Sequence, residues 1–224
     1  MAARSGLPRP FEFVAAVGGL IVLAPLLVVV ALAVWVSSRG PIVFRQLRVG
    51  RLGREFTMLK FRTMRVNDES LQVTASGDDR VTAVGRVLRR LKLDELPELW
   101  NVVLGDLALV GHRPEVPRYV DPEDSEWRWV LEERPGITHP VTLRLADEER
   151  LIAAAGGDAE EFYTGQLLPF KLKGYIEYQG VRTTWTDAKV LAATAAAMVG
   201  GRWYSPVSLE EVRAVAGGSD GRHD

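Results

Sequence analysis

From Phe13 to Val36 the chain reads FVAAVGGLIVLAPLLVVVALAVWV, without one charged side chain. A run that exceeds about 18–20 apolar residues marks a membrane segment, and it constrains the fold more than any other feature. A secretory signal has a shorter apolar core and a small-residue cleavage site, and neither fits this run. Pro25 stands near its middle, where a proline removes a backbone donor and clashes with the preceding turn. Each half-helix would be about 18 Å long, roughly half of what a crossing needs. Arg4 and Arg9 precede the run, and Arg39, Arg45, Arg48, Arg51 and Arg54 follow it. Positive residues favour the cytoplasmic side, and here both flanks carry them. A helix bent at Pro25, entering one leaflet and returning, satisfies both facts. A straight spanning helix with a tolerated kink is the alternative, and the physics of the segment leaves the two open.

The chain has 224 residues, enough for one domain with a sizeable core, or a smaller one with an added segment. Its 28 Lys+Arg and 29 Asp+Glu nearly cancel, so no global field draws it to nucleic acid. Basic residues crowd 39–65, whereas acids collect between Asp121 and Glu161. The absence of cysteine excludes a disulfide framework and thiolate metal sites and fits a reducing compartment. His112, His139 and His223 are not at metal-site spacing, which argues against a zinc centre.

Beyond the apolar run, PIVFRQLRVG, RLGRE and FTMLKFRTM read as strand, tight turn and strand, with Gly50 and Gly53 punctuating the turn. Asn67 to Asp79 is polar and reads as a loop. Asp79 to Arg90 has apolar residues at helical spacing and arginines at the end that suits the helix dipole. Further helices are expected from Asp94 to about Gly105, over Asp121–Glu133, Ala146–Ala155 and Glu160–Tyr178, and over the alanine-rich Trp185–Val199, which suits either the core or the bilayer surface and is assigned to the core. The organisation expected is a membrane helix–break–helix over 1–38, a catalytic domain over 39–205, and a partly disordered tail over 206–224.

Asp94 and Glu95 stand just before Pro97 in LKLDELPELW. Proline is tolerated only in a helix's first turn, so Asp94 is expected as the N-cap. There the backbone N–H groups and the dipole would hold its carboxylate ionised, competent as a nucleophile at a helix end that favours phosphate. Neighbours in a regular helix point about 100° apart, so Glu95 shares a site with Asp94 only near an irregular start. For the dipeptide alone, capping is the commoner role.

The surroundings add to this. GPIVFRQLRVGRLGREFTMLKFRTM, LRRLKLDELPELWNVVLGDLALVGHRP and ERPGIT occur in that order. Together they resemble the bacterial sugar transferases, the monotopic phosphoglycosyl transferases that start glycan assembly on a polyprenol phosphate. The likeness runs from about Phe11 to Thr138 and is looser beyond. It implies a helix-rich α+β protein of the small, catalytic-domain-only type, with a small β-hairpin and a re-entrant helix broken at a proline that matches Pro25. The resemblance tips the reading of the apolar run towards the hairpin, on the cytoplasmic face of the bacterial inner membrane.

The family moves a sugar-1-phosphate from a UDP-sugar to undecaprenyl phosphate or a similar acceptor, releasing UMP, and requires Mg2+. By the match, Asp94 is the nucleophile that forms a phosphosugar-aspartate, and Glu95 is its companion in acceptor activation or metal positioning, so both count as candidate metal ligands. Arg89 matches an arginine that contacts phosphate, and Arg113 the arginine of a Pro-Arg-Pro segment at the donor site. The partners implied are donor, acceptor and membrane lipid, not nucleic acid, with a homodimer left open.

Arg45, Arg48, Lys60 and Arg62 either line the phosphate site or rest on anionic headgroups, worth about 1 kcal/mol each. Strand alternation puts Lys60 and Arg62 on one face, and the match to KFRTM favours structure or substrate contact for Arg62. Glu115 and Asp106 are weaker candidates, for capping or surface roles.

Three departures stand out. Ala24 precedes the proline where many members have serine, and His112 replaces the first proline of Pro-Arg-Pro. His139-Pro140-Val141-Thr142-Leu143-Arg144 follows Thr138 in place of a glycine- and glutamine-containing segment tied to donor recognition, so the sugar is not specified. A catalytically silent scaffold of the same fold is the competing reading. A CDP-alcohol type phosphotransferase would need several acids on spanning helices, which this chain lacks.

Overall fold

The computed structural model describes residues 6–65, 80–198, 200–201 and 203–217. The expected loop at 67–79 and the chain end at 218–224 lie outside the described residues.

Helix α1 runs from Arg9 to Ser37. Helical assignment continues through Pro25, so the expected break is here a proline inside one helix. A proline costs one backbone bond and a local clash, and both flanks remain helical. Among the described residues α1 alone is long and apolar enough to cross a membrane.

Both of its ends are fixed to the rest of the protein. Near the start, Ala16 is buried with Val102, Leu107 and Leu109. Glu12, fully buried, accepts a hydrogen bond from the Leu109 amide at 3.1 Å and pairs with Arg134. Near the other end, Val30 and Val34 pack on Phe61 and Leu88, and Arg62 donates to the Ser38 carbonyl at 2.7 Å. Between these anchors Ile21, Val22, Val28 and Val29 are 59–77% exposed. Burying one such side chain is worth about 1.5–3 kcal/mol, so this stretch calls for an apolar environment.

Strands β1 (Val43–Val49) and β2 (Glu55–Phe61) form the expected hairpin, in register from Val43↔Phe61 to Val49↔Glu55. Leu52 at its tip has φ 56°. The free edge of β2 is closed by a side chain: Asn101 accepts from the Leu59 amide and donates to the Thr57 carbonyl. Helix α2 (Ala83–Arg90) begins at Thr82, whose hydroxyl accepts from the Gly85 amide. Helix α3 spans Glu98–Leu104 and ends at Gly105, where φ is 96°, a conformation that glycine adopts without penalty.

Strands β3 (Ala108–Val110) and β4 (Gly136–Thr138) pair in parallel. The sequence offers no period for strands this short. A Cβ on Gly136 would stand 2.1 Å from the Gly111 amide nitrogen, so the close approach needs glycine. Helix α4 (Ser125–Leu131) is capped by Asp124; α5 (Pro140–Arg144) and α6 (Glu148–Ala155) follow.

The helical pattern expected over Glu160–Tyr178 is present without a gap, as α7 (Ala159–Phe162), a π-helical turn at Tyr163–Leu167 and α8 (Leu168–Val181). The main core gathers Trp127, Val130, Leu167, Tyr175 and Val212. Helix α9 (Thr184–Met198) buries Val190 and Ala193 as expected but exposes Trp185 and Met198. Helix α10 (Leu209–Gly217) lies where a tail was expected. Its Val212 is fully buried, so this stretch is part of the domain.

Candidate functional site

The site grows from the link between α2 and α3. Lys92 takes the left-handed conformation (φ 56°) and starts a 3₁₀ turn over Leu93–Glu95. A non-glycine residue there carries local strain, and the turn is the irregular start that lets adjacent acids share a site. Asp94 is not the N-cap of α3, because Pro97 directly precedes the helix, which begins at Glu98. Its carboxylate is buried, and Oδ1 has no hydrogen-bond partner among the described residues. Burial pushes the Asp94 pKa up, against the pull of Lys60, opposite to the expectation of a cap-stabilised anion.

Glu95 sits differently. Its Oε1 accepts from Lys60 Nζ and from Arg113 Nη2, both at 2.8 Å. Burial works to raise its pKa, but Lys60 and Arg113 outweigh it and hold the group well below the usual range. Glu95 in turn raises Arg113. Lys60 also stands 3.3 Å from Oε1 of Glu98, an acid whose pKa burial pushes up to about 7. Two adjacent carboxylates are thus shifted in opposite directions for a visible reason: one has two cations in contact, the other an unmatched oxygen.

The remaining predicted residues divide. Arg89, in the last turn of α2, pairs with Glu149 of α6 at 3.0 Å and acts electrostatically on Asp94. Arg45 is not brought in: it pairs with Leu59 across the hairpin, which puts it on the strand face opposite Lys60. Arg62 lies just past the end of β2 and is bonded to Ser38, so its observed contact is with the end of α1.

Glu115, expected at the surface, is buried and paired with Lys171 at 3.1 Å. Asp106 accepts from Asn101. His139 caps α5 through Nδ1. His112 is buried and its pKa is pushed down to about 3 by that burial, so it is neutral near pH 7.

The donor set suits magnesium in one respect. The ion keeps several waters and binds through one or two carboxylates plus substrate phosphate, and Asp94 offers an oxygen that no protein donor occupies. Glu95 is the poorer ligand through Oε1, which already holds two cations. Among the described residues no group of three His, Cys, Asp or Glu could hold a metal ion.

The family model described as "Bacterial sugar transferase" matches residues 3–201. The chain belongs to the bacterial sugar transferases. It is 35% identical over 196 residues to the UDP-glucose:undecaprenyl-phosphate glucose-1-phosphate transferase of Caulobacter vibrioides, covering 85% of this chain and 69% of that protein. It is 39% identical over 197 residues to the protein of the same name from Escherichia coli K12, covering 84% of this chain and 39% of that one. A UDP-N-acetylgalactosamine-undecaprenyl-phosphate N-acetylgalactosaminephosphotransferase of Aeromonas hydrophila is 40% identical over 139 residues, 59% of this chain and 32% of its own. The chain thus spans about a third of the Aeromonas relative and about two fifths of the E. coli one.

In this sugar transferase the sequence reading passed over Glu98, Glu149 and Lys171. The spacing of Asp94, Glu95 and Glu98 was a usable signal, since i and i+4 meet on a helical surface. Glu98 also makes the site pH-sensitive. Its folded pKa, about 7, lies above the ordinary 4.5, so wild-type stability falls as pH rises from about 4.5 through about 7. Glu98→Gln is expected to remove that slope and to stabilise the protein at pH 8 by on the order of 1–3 kcal/mol, with no gain at pH 4.5. Thermal melting of both proteins across that range checks it.

Proposed function

We propose that this sugar transferase moves a sugar-1-phosphate from a UDP-sugar to undecaprenyl phosphate, with Asp94 as the covalent nucleophile. The reading rests on the buried, unpartnered Oδ1 of Asp94 beside the Lys60–Glu95–Arg113 cluster. An Asp94 oxygen attacks the phosphorus that bears the sugar, and the bond from that phosphorus to the UMP oxygen breaks. The acceptor phosphate oxygen then attacks the same phosphorus and displaces Asp94. Dividing the exchange keeps two anionic substrates from meeting directly.

Arg113 and Lys60 supply positive charge at the site, and Arg89 adds to the field at Asp94. Developing charge on a transferring phosphoryl group needs such donors. Magnesium, held by Asp94 with Glu95 beside it, would neutralise phosphate charge. Relatives named for UDP-glucose and UDP-N-acetylgalactosamine support the donor and acceptor classes. UMP release from a panel of UDP-sugars, with undecaprenyl phosphate and magnesium, tests the reading. Silence across the panel favours the scaffold.

We also propose that α1, bent at Pro25 within one helix, enters and leaves the cytoplasmic leaflet of the inner membrane from the same side. Anchors at Glu12 and Val34 fix both ends to one body while the middle stays bare. The chain lacks native cysteine, so single cysteines at the exposed Pro10 and Arg39 can be labelled cleanly. Both sites are expected to resist a membrane-impermeant maleimide in intact spheroplasts and to react after lysis. Labelling of one end from outside would show a spanning helix.

A further inference from the structure

Arg113 sits on the loop between β3 and the turn at Pro117, and every neighbour on that loop is tied down. The Gly111 amide donates to the Thr138 carbonyl, and the Gly136 amide to the His112 carbonyl. Arg48 Nη1 donates to the Pro114 carbonyl at 2.9 Å, and the Val49 amide to the Glu115 carbonyl at 2.9 Å. The far side of the loop is held by charge. Glu115 accepts from the Tyr163 hydroxyl at 2.7 Å and pairs with Lys171 at 3.1 Å, and Lys171 also donates to the Tyr163 oxygen at 3.0 Å.

Glu115 and Lys171 are each 3% exposed. Burial works against Lys171, but Glu115 and Glu148 keep its pKa well above the ordinary value. Burial likewise opposes Glu115, which Lys171 and Arg48 hold low. An apolar group of similar volume often serves stability as well as a buried ion pair, so stability alone gives a weak account of why charge is set behind this loop.

We propose that Lys171, through Glu115 and Tyr163, is a positioning residue for Arg113, fixing the loop so that the guanidinium meets Glu95 and the anionic donor. This rests on the donor reading given above. Lys171 does not touch the reacting atoms. It acts from α8, across the π-helical turn that carries Tyr163, and sets where the guanidinium can reach.

The test is a double-mutant cycle on the full chain in its membrane. Lys171→Met is expected to raise KM for the UDP-sugar about tenfold with a smaller change in kcat, and to add nothing when Arg113 is already alanine. A residue serving only the fold would lower the amount of active enzyme and act equally in both backgrounds. Should Lys171→Met fail to fold, Tyr163→Phe keeps the shape and removes two hydrogen bonds, to Glu115 and from Lys171. Its expected effect is about threefold in the same direction, again absent in the Arg113→Ala background. Additive effects, or an unchanged KM, overturn the proposal. UDP affinity measured by calorimetry carries the same cycle without turnover. Wild-type silence in UMP release therefore counts against the donor reading, whereas additive losses of UDP affinity count against the positioning of Arg113.

Discussion

Asp94→Asn is expected to abolish transfer, with a loss on the order of 10³-fold or more, because an amide in place of the proposed nucleophile's carboxylate cannot form the acyl phosphate. The exchange removes the charge and keeps the shape. No protein donor to Oδ1 is lost among the described residues, so the fold should tolerate it. Intact-protein mass after mixing with one UDP-sugar and no acceptor gives the direct readout. Wild type should gain the mass of one sugar phosphate, and Asp94→Asn none. An adduct that survives the substitution would place the nucleophile elsewhere. The environment adds a pH signature. Burial raises the Asp94 pKa, so the ionised fraction, and adduct formation with it, should fall on acidification sooner than for a solvent-exposed aspartate. Bound magnesium opposes this shift, so the fall should be steepest when adduct formation is followed without the ion.

Much of the frame was legible because it rests on local rules. The hairpin followed from β-branched alternation around Gly50 and Gly53, and its tip lies at Arg51–Gly53. Helices α4 and α9 lie within a few residues of the expected ranges. The start of α3 was placed too early because Pro97 was read as a first-turn residue. The actual turn depends on a left-handed Lys92, and lysine carries no sequence mark of that conformation. Arg45 was drawn to the site by charge alone, whereas strand parity, fixed by the Val43↔Phe61 register, turns it away. Glu115 looked like a surface residue because Lys171, its buried partner, belongs to a distant helix. Short α10 read as tail for the same reason: its one fully buried residue, Val212, enters a core built by other elements.

Lys60→Met should be the most damaging single change to the cluster as a whole. Lys60 is 2.8 Å from Glu95 and 3.3 Å from Glu98, and it is the strongest of the cations acting on Asp94. Removing it leaves three acids in one buried site, with Arg113 bonded only to Glu95. Breaking one side of a buried pair costs about 3–5 kcal/mol, a fall in melting temperature of roughly 10 °C for a chain of this size. Activity should fall as well, because the pKa of Asp94 rises further without its main counter-charge and less of the nucleophile is ionised at pH 7. Adding Glu98→Gln to Lys60→Met should recover part of the stability at pH 8 by removing one unbalanced charge. At pH 5 the recovery should vanish, since Glu98, with a pKa of about 7, is already protonated there. The pH dependence separates charge from packing: a lost methylene contact would cost the same at both pH values. Recovery by Glu98→Gln that is equal at pH 5 and pH 8 would show that Glu98 acts on this site by volume, and the electrostatic account of its place in the cluster would then fail.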